Sequence, residues 1–222
     1  MGLSTLAPRS RADAAKLKRL HSRILACTKC VAAGYLEQAA PVVAGDITDR
    51  VMIVGQAPGV VELKTRTPFS GRAGAELRRW LARAGIGETE LPYRSAITKC
   101  FPGKATTGSG DRRPSPPEIA LCAPWLEAEV ALVRPDIILL VGTLAIERLW
   151  GRAALSDVVG RSKRSPTLND ALLIPLPHPS GASRWLNDPE NKVRLERALR
   201  LLARAWKALP PVDGAGRVHS RR

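Results

Sequence analysis

Apolar positions along the chain alternate between two periods. Residues 10–26 place Leu17, Leu20, Ile24 and Leu25 on one stripe with lysines and arginines between them, the period of an amphipathic helix. Residues 50–54, "RVMIV", form a short apolar run closed by Gly55, which predicts a buried strand. The helical period returns over residues 71–84, with Leu77, Trp80, Leu81 and Ala84 on the inner face. Residues 93–100, "YRSAITKC", alternate enough for a second strand, and the Gly- and Pro-rich residues 101–117 read as a loop. A helix is predicted over 118–133, with Ile119, Cys122, Leu126 and Val130 on one stripe. "DIILLVG" is a fully buried strand, residues 143–150 a short helix, and "ALLIPLPHPS" a fourth strand ending at Pro177-His178. The last helix, residues 188–209, turns Leu195, Leu199, Leu202 and Trp206 inward.

Strands that alternate with helices predict an α/β fold. The expected architecture is a three-layer sandwich, a central four-stranded mostly parallel sheet flanked by helices. One domain is expected over residues 10–209, between a flexible N-terminus (1–9) and a flexible basic tail (210–222). Gly55-Gln56, Cys100, Gly142-Thr143 and His178 then each fall just past the carboxyl end of a strand, the rim where open α/β sheets bind ligands.

Charge sharpens the picture. Lys and Arg number 35 against 20 Asp and Glu, a net charge of +15 that draws polyanions and points to nucleic acid. No run of about 18 apolar residues is present, so no membrane span is predicted. The opening "MGLSTLAPRS" lacks the apolar stretch of a secretory leader, and a cytoplasmic location is expected. The turn "VGQAPG" has neither Gly-x-Gly-x-x-Gly nor Lys-Ser/Thr, and Pro58 removes a backbone N–H, so it is not a phosphate loop.

Four cysteines stand at Cys27, Cys30, Cys100 and Cys122, the first two as Cys-x-x-Cys. In a reducing compartment four thiols with none left over suit zinc or an iron–sulfur cluster. Spacing alone does not choose between them.

Taken in order, "VGQAPG", "TPFSGRAG", "ITKCFPG…PSPPEIALCAPWL" and "LPHPSGASRW" resemble the motifs of the uracil-DNA glycosylase superfamily. The chain is most similar to its iron–sulfur-containing bacterial and archaeal branch, over roughly residues 20–205. The resemblance implies a monofunctional DNA glycosylase. Such an enzyme flips uracil from DNA into a fitted pocket and hydrolyses the N-glycosidic bond, leaving an abasic site for base excision repair. It implies that Phe69 stacks on the everted base and that His178 donates to uracil O2 as negative charge develops there. Gln56 would hold water or contact the base; Ala57, Ser95 and Ala96 would lie against it. Pro58 and Gly59 would let the DNA backbone approach. Ser180, Gly181, Ala182, Ser183 and Arg184 would enter the minor groove. The four cysteines would ligate a 4Fe-4S cluster, zinc being the alternative. The partner is uracil-containing DNA, and a monomer is expected.

Three departures from that branch matter. Ala96 stands where an asparagine usually reads the uracil edge. Gln56 replaces an acidic residue, which leaves Gln56 itself, Glu62 or a backbone carbonyl to orient the attacking water. The loop between Cys100 and Cys122 is longer, carries no histidine, and offers Arg112-Arg113 to phosphate or to solvent. A slow or non-catalytic uracil-DNA binder on the same fold is the alternative that these departures motivate.

Overall fold

The structure, a computed structural model, describes residues 10–87, 90–107, 110–180 and 184–210. The expected flexible ends, 1–9 and 211–222, lie outside the described residues. Helix α1 (Arg11–Leu25) starts at Ser10, whose hydroxyl accepts from the Asp13 N–H while the Asp13 carboxylate accepts from the Ser10 N–H. This reciprocal cap satisfies two donors that the first turn cannot pair. A one-turn helix, α2 (Lys29–Ala32), follows. Then come β1 (Val51–Gly55), α3 (Val60–Thr65), α4 (Arg72–Arg83) and β2 (Tyr93–Ala96). The second half holds α5 (Pro116–Val133), β3 (Ile137–Val141), α6 (Thr143–Leu149), α7 (Leu155–Val158), β4 (Lys163–Ser165), β5 (Ala171–Leu176) and α8 (Pro189–Ala208). No described helix is long and apolar enough to cross a membrane.

The sheet order is β2-β1-β3-β5-β4, with the first four strands parallel and β4 antiparallel to β5. The four expected strands are therefore present, with a fifth added at the edge. Lys163-Arg164-Ser165 has no apolar period to announce it, because an edge strand of three residues exposes most of its length. The second strand also ends earlier than its sequence suggests. It stops at Ala96, and residues 97–100 bend, with Ile97 and Thr98 still donating to the Gly55 and Gln56 carbonyls at the end of β1.

Alternation along β1 divides the core. Met52 and Val54 pack with Leu17, Leu20, Ile24, Leu126 and Val130 on one face. Val51 and Ile53 pack with Leu77, Trp80, Leu81, Leu195 and Leu199 on the other. Helices α1 and α5 thus cover one face, α4 and α8 the other. Strand β3 is buried along its whole length, as a strand between two helical layers must be.

One polar cluster interrupts the first of these layers. Lys99 and Glu129 form an ion pair of 2.7 Å with side chains 2% and 0% exposed. Lys99 Nζ also donates to Ser95 Oγ (2.6 Å) and to the Ala96 carbonyl (2.7 Å), so all three of its protons are placed. Glu129 accepts in addition from the Ser95 and Tyr93 hydroxyls at 2.8 and 3.1 Å. The Tyr93 hydroxyl in turn accepts from His21 Nε2 at 2.7 Å. Burial, and then Glu129, push the Tyr93 phenol well above its ordinary pKa, while burial lowers that of His21. The cluster joins α1, β2 and α5 through a fully satisfied network.

Removing one partner of a buried pair strands the other charge and costs about 3–5 kcal/mol. Glu129→Gln is therefore expected to lower unfolding stability by that order in a urea titration. A Lys99→Met/Glu129→Leu double variant is expected to regain much of the loss; equal loss in both would show that the charge itself is not what matters.

Candidate active site

The rim of the sheet is built by turns whose shape small residues permit. At the end of β1, the carbonyls of Gly55 and Gln56 accept from the N–H groups of Ile97 (2.9 Å) and Thr98 (3.2 Å). The turn is thereby fixed to the segment after β2. Gln56 and Ala57 are half-buried and Pro58 is buried. Glu62, in the first turn of α3, accepts from the Gly59 N–H at 3.0 Å and from the Gly71 N–H at 2.9 Å. One carboxylate thus closes the segment between these glycines into a compact loop. With each oxygen of Glu62 held by a backbone donor, the expectation that it orients water loses ground to a structural role.

Phe69 sits within that loop. Its φ is +55°, a left-handed conformation rare for a bulky residue. Two contacts hold it there. Its carbonyl accepts from Arg78 Nη1 at 3.1 Å, and it faces Gly74, where an added Cβ would stand 1.7 Å from the same oxygen. The ring lies across the end of β1, since a Cβ on Gly55 would come within 2.9 Å of Phe69 Cζ. Phe69 is half-buried and packs against the second core layer on one side.

His178 follows β5 and reaches over the end of β3, where a Cβ on Gly142 would stand 3.5 Å from His178 Cδ2. Strands β1 and β3 are hydrogen-bonded neighbours, so phenyl and imidazole occupy adjacent strand ends. His178 Nδ1 lies 3.3 Å from the Ser180 N–H and 2.9 Å from Ser180 Oγ. A backbone N–H can only donate, so Nδ1 is an acceptor and the proton of the neutral ring belongs on Nε2. Water reaches the imidazole, but the protein around its inner side withdraws enough solvation to lower its pKa below 6.5. The Asp111 carboxylate opposes that shift without reversing it. The result is a neutral donor held at the rim.

The remaining predicted residues divide. Ser95, expected against a base, is 2% exposed and its hydroxyl proton goes to Glu129, so it is turned into the interior. Ala96 ends β2 beside Gly55, its carbonyl taken by Lys99. Gly181, Ala182 and Ser183 lie outside the described residues. Arg184 is exposed, whereas Trp185 packs on the second core layer and its carbonyl accepts from Asn191. Arg112 and Arg113 are not free for phosphate. Arg112 grips the buried Glu118 with two contacts of 2.7 Å, and Arg113 pairs with Glu147.

Asp111 was not among the predicted residues. Its Oδ2 would lie 3.1 Å from a Cβ on Gly59, and it pairs with Lys104 at 2.7 Å. It thus brings a carboxylate from the long loop back to the first motif. Nothing in its local sequence marks this; only the loop's return path does.

The four cysteines gather at a second place. Cys27 lies between α1 and α2, Cys30 in α2, Cys100 past β2 and Cys122 in α5, and all four line one cavity. Its other walls include Val31, Leu36, Pro41, Leu121 and Trp125. Burial, reinforced by the neighbouring thiols, pushes Cys30 up to about 11 and Cys100 to about 12. Burial raises Cys122 too, against the pull of Lys99, whose N–H lies 3.2 Å from Cys122 Sγ. Among the described residues no three thiol, imidazole or carboxylate groups converge as a ready metal site.

Comparison with known proteins comes to the same place. Residues 42–206 match the family described as the uracil DNA glycosylase superfamily. The chain is 31% identical over 175 residues to a type-4 uracil-DNA glycosylase of Thermotoga maritima, covering 78% of this chain and 86% of that protein. It is 33% identical over 150 residues to a type-4 enzyme of Pyrobaculum aerophilum, covering 65% and 72% of the two chains. A type-5 uracil-DNA glycosylase of Thermus thermophilus is 33% identical over 126 residues, half of this chain.

An NMR titration of the imidazole nitrogens is expected to place the His178 pKa below 6.5, with Nε2 carrying the proton of the neutral ring; protonated Nδ1 would contradict the geometry. Gly74→Ala, by forcing the Phe69 carbonyl aside, is expected to lower stability by at least the roughly 1–3 kcal/mol of an overpacked core, read by thermal unfolding.

Proposed function

Because the chain belongs to the uracil DNA glycosylase superfamily, we propose that Phe69 and His178 carry out the recognition and chemistry of uracil excision. The chain is a hydrolase of N-glycosyl bonds that removes uracil from DNA. Everting a nucleotide costs a few kcal/mol. Stacking of the base on Phe69, worth about 1–3 kcal/mol, offsets part of that cost. As the bond from C1′ to N1 breaks, its electron pair moves into the pyrimidine and charge grows on O2. The Nε2–H of His178 donates to that oxygen in a partly water-excluded setting, where such a bond counts for more in the transition state than in the ground state. Water adds to C1′ and gives up a proton, leaving an abasic sugar and uracil. Gln56 positions that water through its amide, in place of the carboxylate that its motif lacks.

The observation that carries this reading is the Ser180 N–H at His178 Nδ1, which fixes the one tautomer able to serve O2. Ala96 has no amide to read the base edge, so selection falls to backbone groups and to the fit beneath Phe69. Arg184 is exposed and able to meet the duplex, which the +15 charge draws in.

The thiol cavity fits a four-iron, four-sulfur cluster. The cavity brings all four cysteines of the chain to one place, which matches the four-thiolate ligand set of such a cluster. When bound, the cluster pins α2 and the 101–115 loop to α5. Zinc remains the alternative that metal analysis of the purified chain separates: iron, sulfide and visible colour against colourless zinc.

The test is incubation with a uracil-bearing oligonucleotide followed by alkaline cleavage of abasic sites. Strand scission with multiple turnover is expected; a retarded but intact strand would identify a binder instead. His178→Ala is expected to slow single-turnover cleavage about 10²–10³-fold, and an unchanged rate would remove His178 from the mechanism. Binding is expected to weaken linearly in log–log form with salt as phosphates are neutralised.

A further inference from the structure

The wall of the thiol cavity contains two polar atoms that the protein leaves unsatisfied. Thr98 Oγ1 and Trp125 Nε1 are both buried with no hydrogen-bond partner, and both residues line the cavity beside Cys27, Cys30, Cys100 and Cys122. Thr98 is only 5% exposed. Buried donors without acceptors are rare in folded proteins and call for an explanation. An indole N–H can only donate. The carboxylate that shares the cavity, Glu118, is occupied by Arg112 and by the Ser115 N–H and hydroxyl. The wall therefore offers donors and, from its carboxylate, no free acceptor.

The acceptors that a cluster brings are sulfurs. We propose that Trp125 Nε1–H and Thr98 Oγ1–H donate to sulfurs of the cluster, and that these donors raise its reduction potential. This rests on the cluster reading of the cavity given above. A third donor is already in place in the Lys99 N–H, 3.2 Å from Cys122 Sγ. The three belong to one design, because residues 98 and 99 precede Cys100 and Trp125 lies one helical turn beyond Cys122. Reduction adds negative charge to the sulfurs, so a donor aimed at them favours the reduced state over the oxidised one. The indole is also a strengthened donor. Arg23 lies 5.5 Å and Lys29 5.1 Å from its ring centroid, and cations against the π-system draw electron density from the N–H. Valine matches the shape of threonine and phenylalanine keeps an aromatic ring in the wall, so the polar atoms are not needed for an apolar lining.

The test uses the full chain loaded anaerobically with iron and sulfide, as wild type, Trp125→Phe, Thr98→Val and the double variant. Iron and sulfide content establishes first that each carries the cluster. Redox titration followed by electron paramagnetic resonance is then expected to give a lower potential for each single variant and the lowest for the double. Potentials that coincide with wild type at equal cluster content would overturn the proposal. If the variants fail to load, the wild type alone decides. Labelled with ¹⁵N-indole tryptophan and reduced, it is expected to show an electron–nuclear double resonance coupling to the Nε1 of Trp125, the tryptophan that lines the cavity, and the absence of that coupling would overturn the proposal equally. A wild-type chain that binds zinc, or takes up no iron, would refute the cluster reading itself and the donor assignment with it; uracil cleavage at His178 is read separately and would stand.

Discussion

The buried pair of Lys99 with Glu129 is the constraint on which the rest of this protein leans. Putting an ammonium and a carboxylate into an apolar layer is costly unless every proton and lone pair has a partner. Here Lys99 places its three protons on Glu129, Ser95 and the Ala96 carbonyl, and Glu129 accepts from Lys99, Ser95 and Tyr93. Satisfying Lys99 dictates where residues 97–100 run, and that short segment faces two ways. Toward β1 it donates to the Gly55 and Gln56 carbonyls and so shapes the first motif. Toward α5 it presents the Lys99 N–H to Cys122 and delivers Cys100 to the thiol cavity. Base site and cysteine site are thus the two sides of one backbone segment, fixed by one ion pair.

From that constraint the departures from the family pattern become intelligible. With Ser95 and the Ala96 carbonyl drawn inward to hold Lys99, the end of β2 has little left to offer a base. Phe69, locked in a left-handed turn by Gly74 and Arg78, and His178, locked in one tautomer by Ser180, remain as side chains with a defined aim at the rim. On the proposed reading, the lack of a side-chain amide at Ala96 would shift the burden to stacking on Phe69 and to a single donor, His178.

Much of this was legible in the sequence because burial has a period. The four parallel strands, the long helices and the rim that gathers Gln56, Gly142 and His178 all follow from runs of apolar residues and the glycines that end them. Cys100, expected at that rim, lies instead beyond the end of β2 in the thiol cavity. What the sequence hid is non-local or polar. The edge strand Lys163–Ser165 has no apolar signal, because it packs on one neighbour only. Glu129 looks like any solvated helix residue until Lys99 is placed opposite it. Arg112 and Arg113 read as available to phosphate or to solvent, and pair instead with Glu118 and Glu147, which the sequence of an irregular loop cannot reveal. Asp111 returns to Gly59 only through the path of a loop whose composition says nothing beyond irregular structure. Ser95 was assigned to the base from its place in a motif, yet its neighbour four residues on, Lys99, claims it.

The central claim, that an everted uracil lies between the Phe69 ring and the His178 imidazole, is tested most directly by a crystal structure of the protein on DNA bearing a non-hydrolysable deoxyuridine analogue. The account predicts the pyrimidine stacked on Phe69 above Gly55, with O2 in hydrogen-bond reach of His178 Nε2 and Nδ1 still held by Ser180. A base bound elsewhere on the rim, or one that stacks on Phe69 with its O2 turned away from the imidazole, would contradict it.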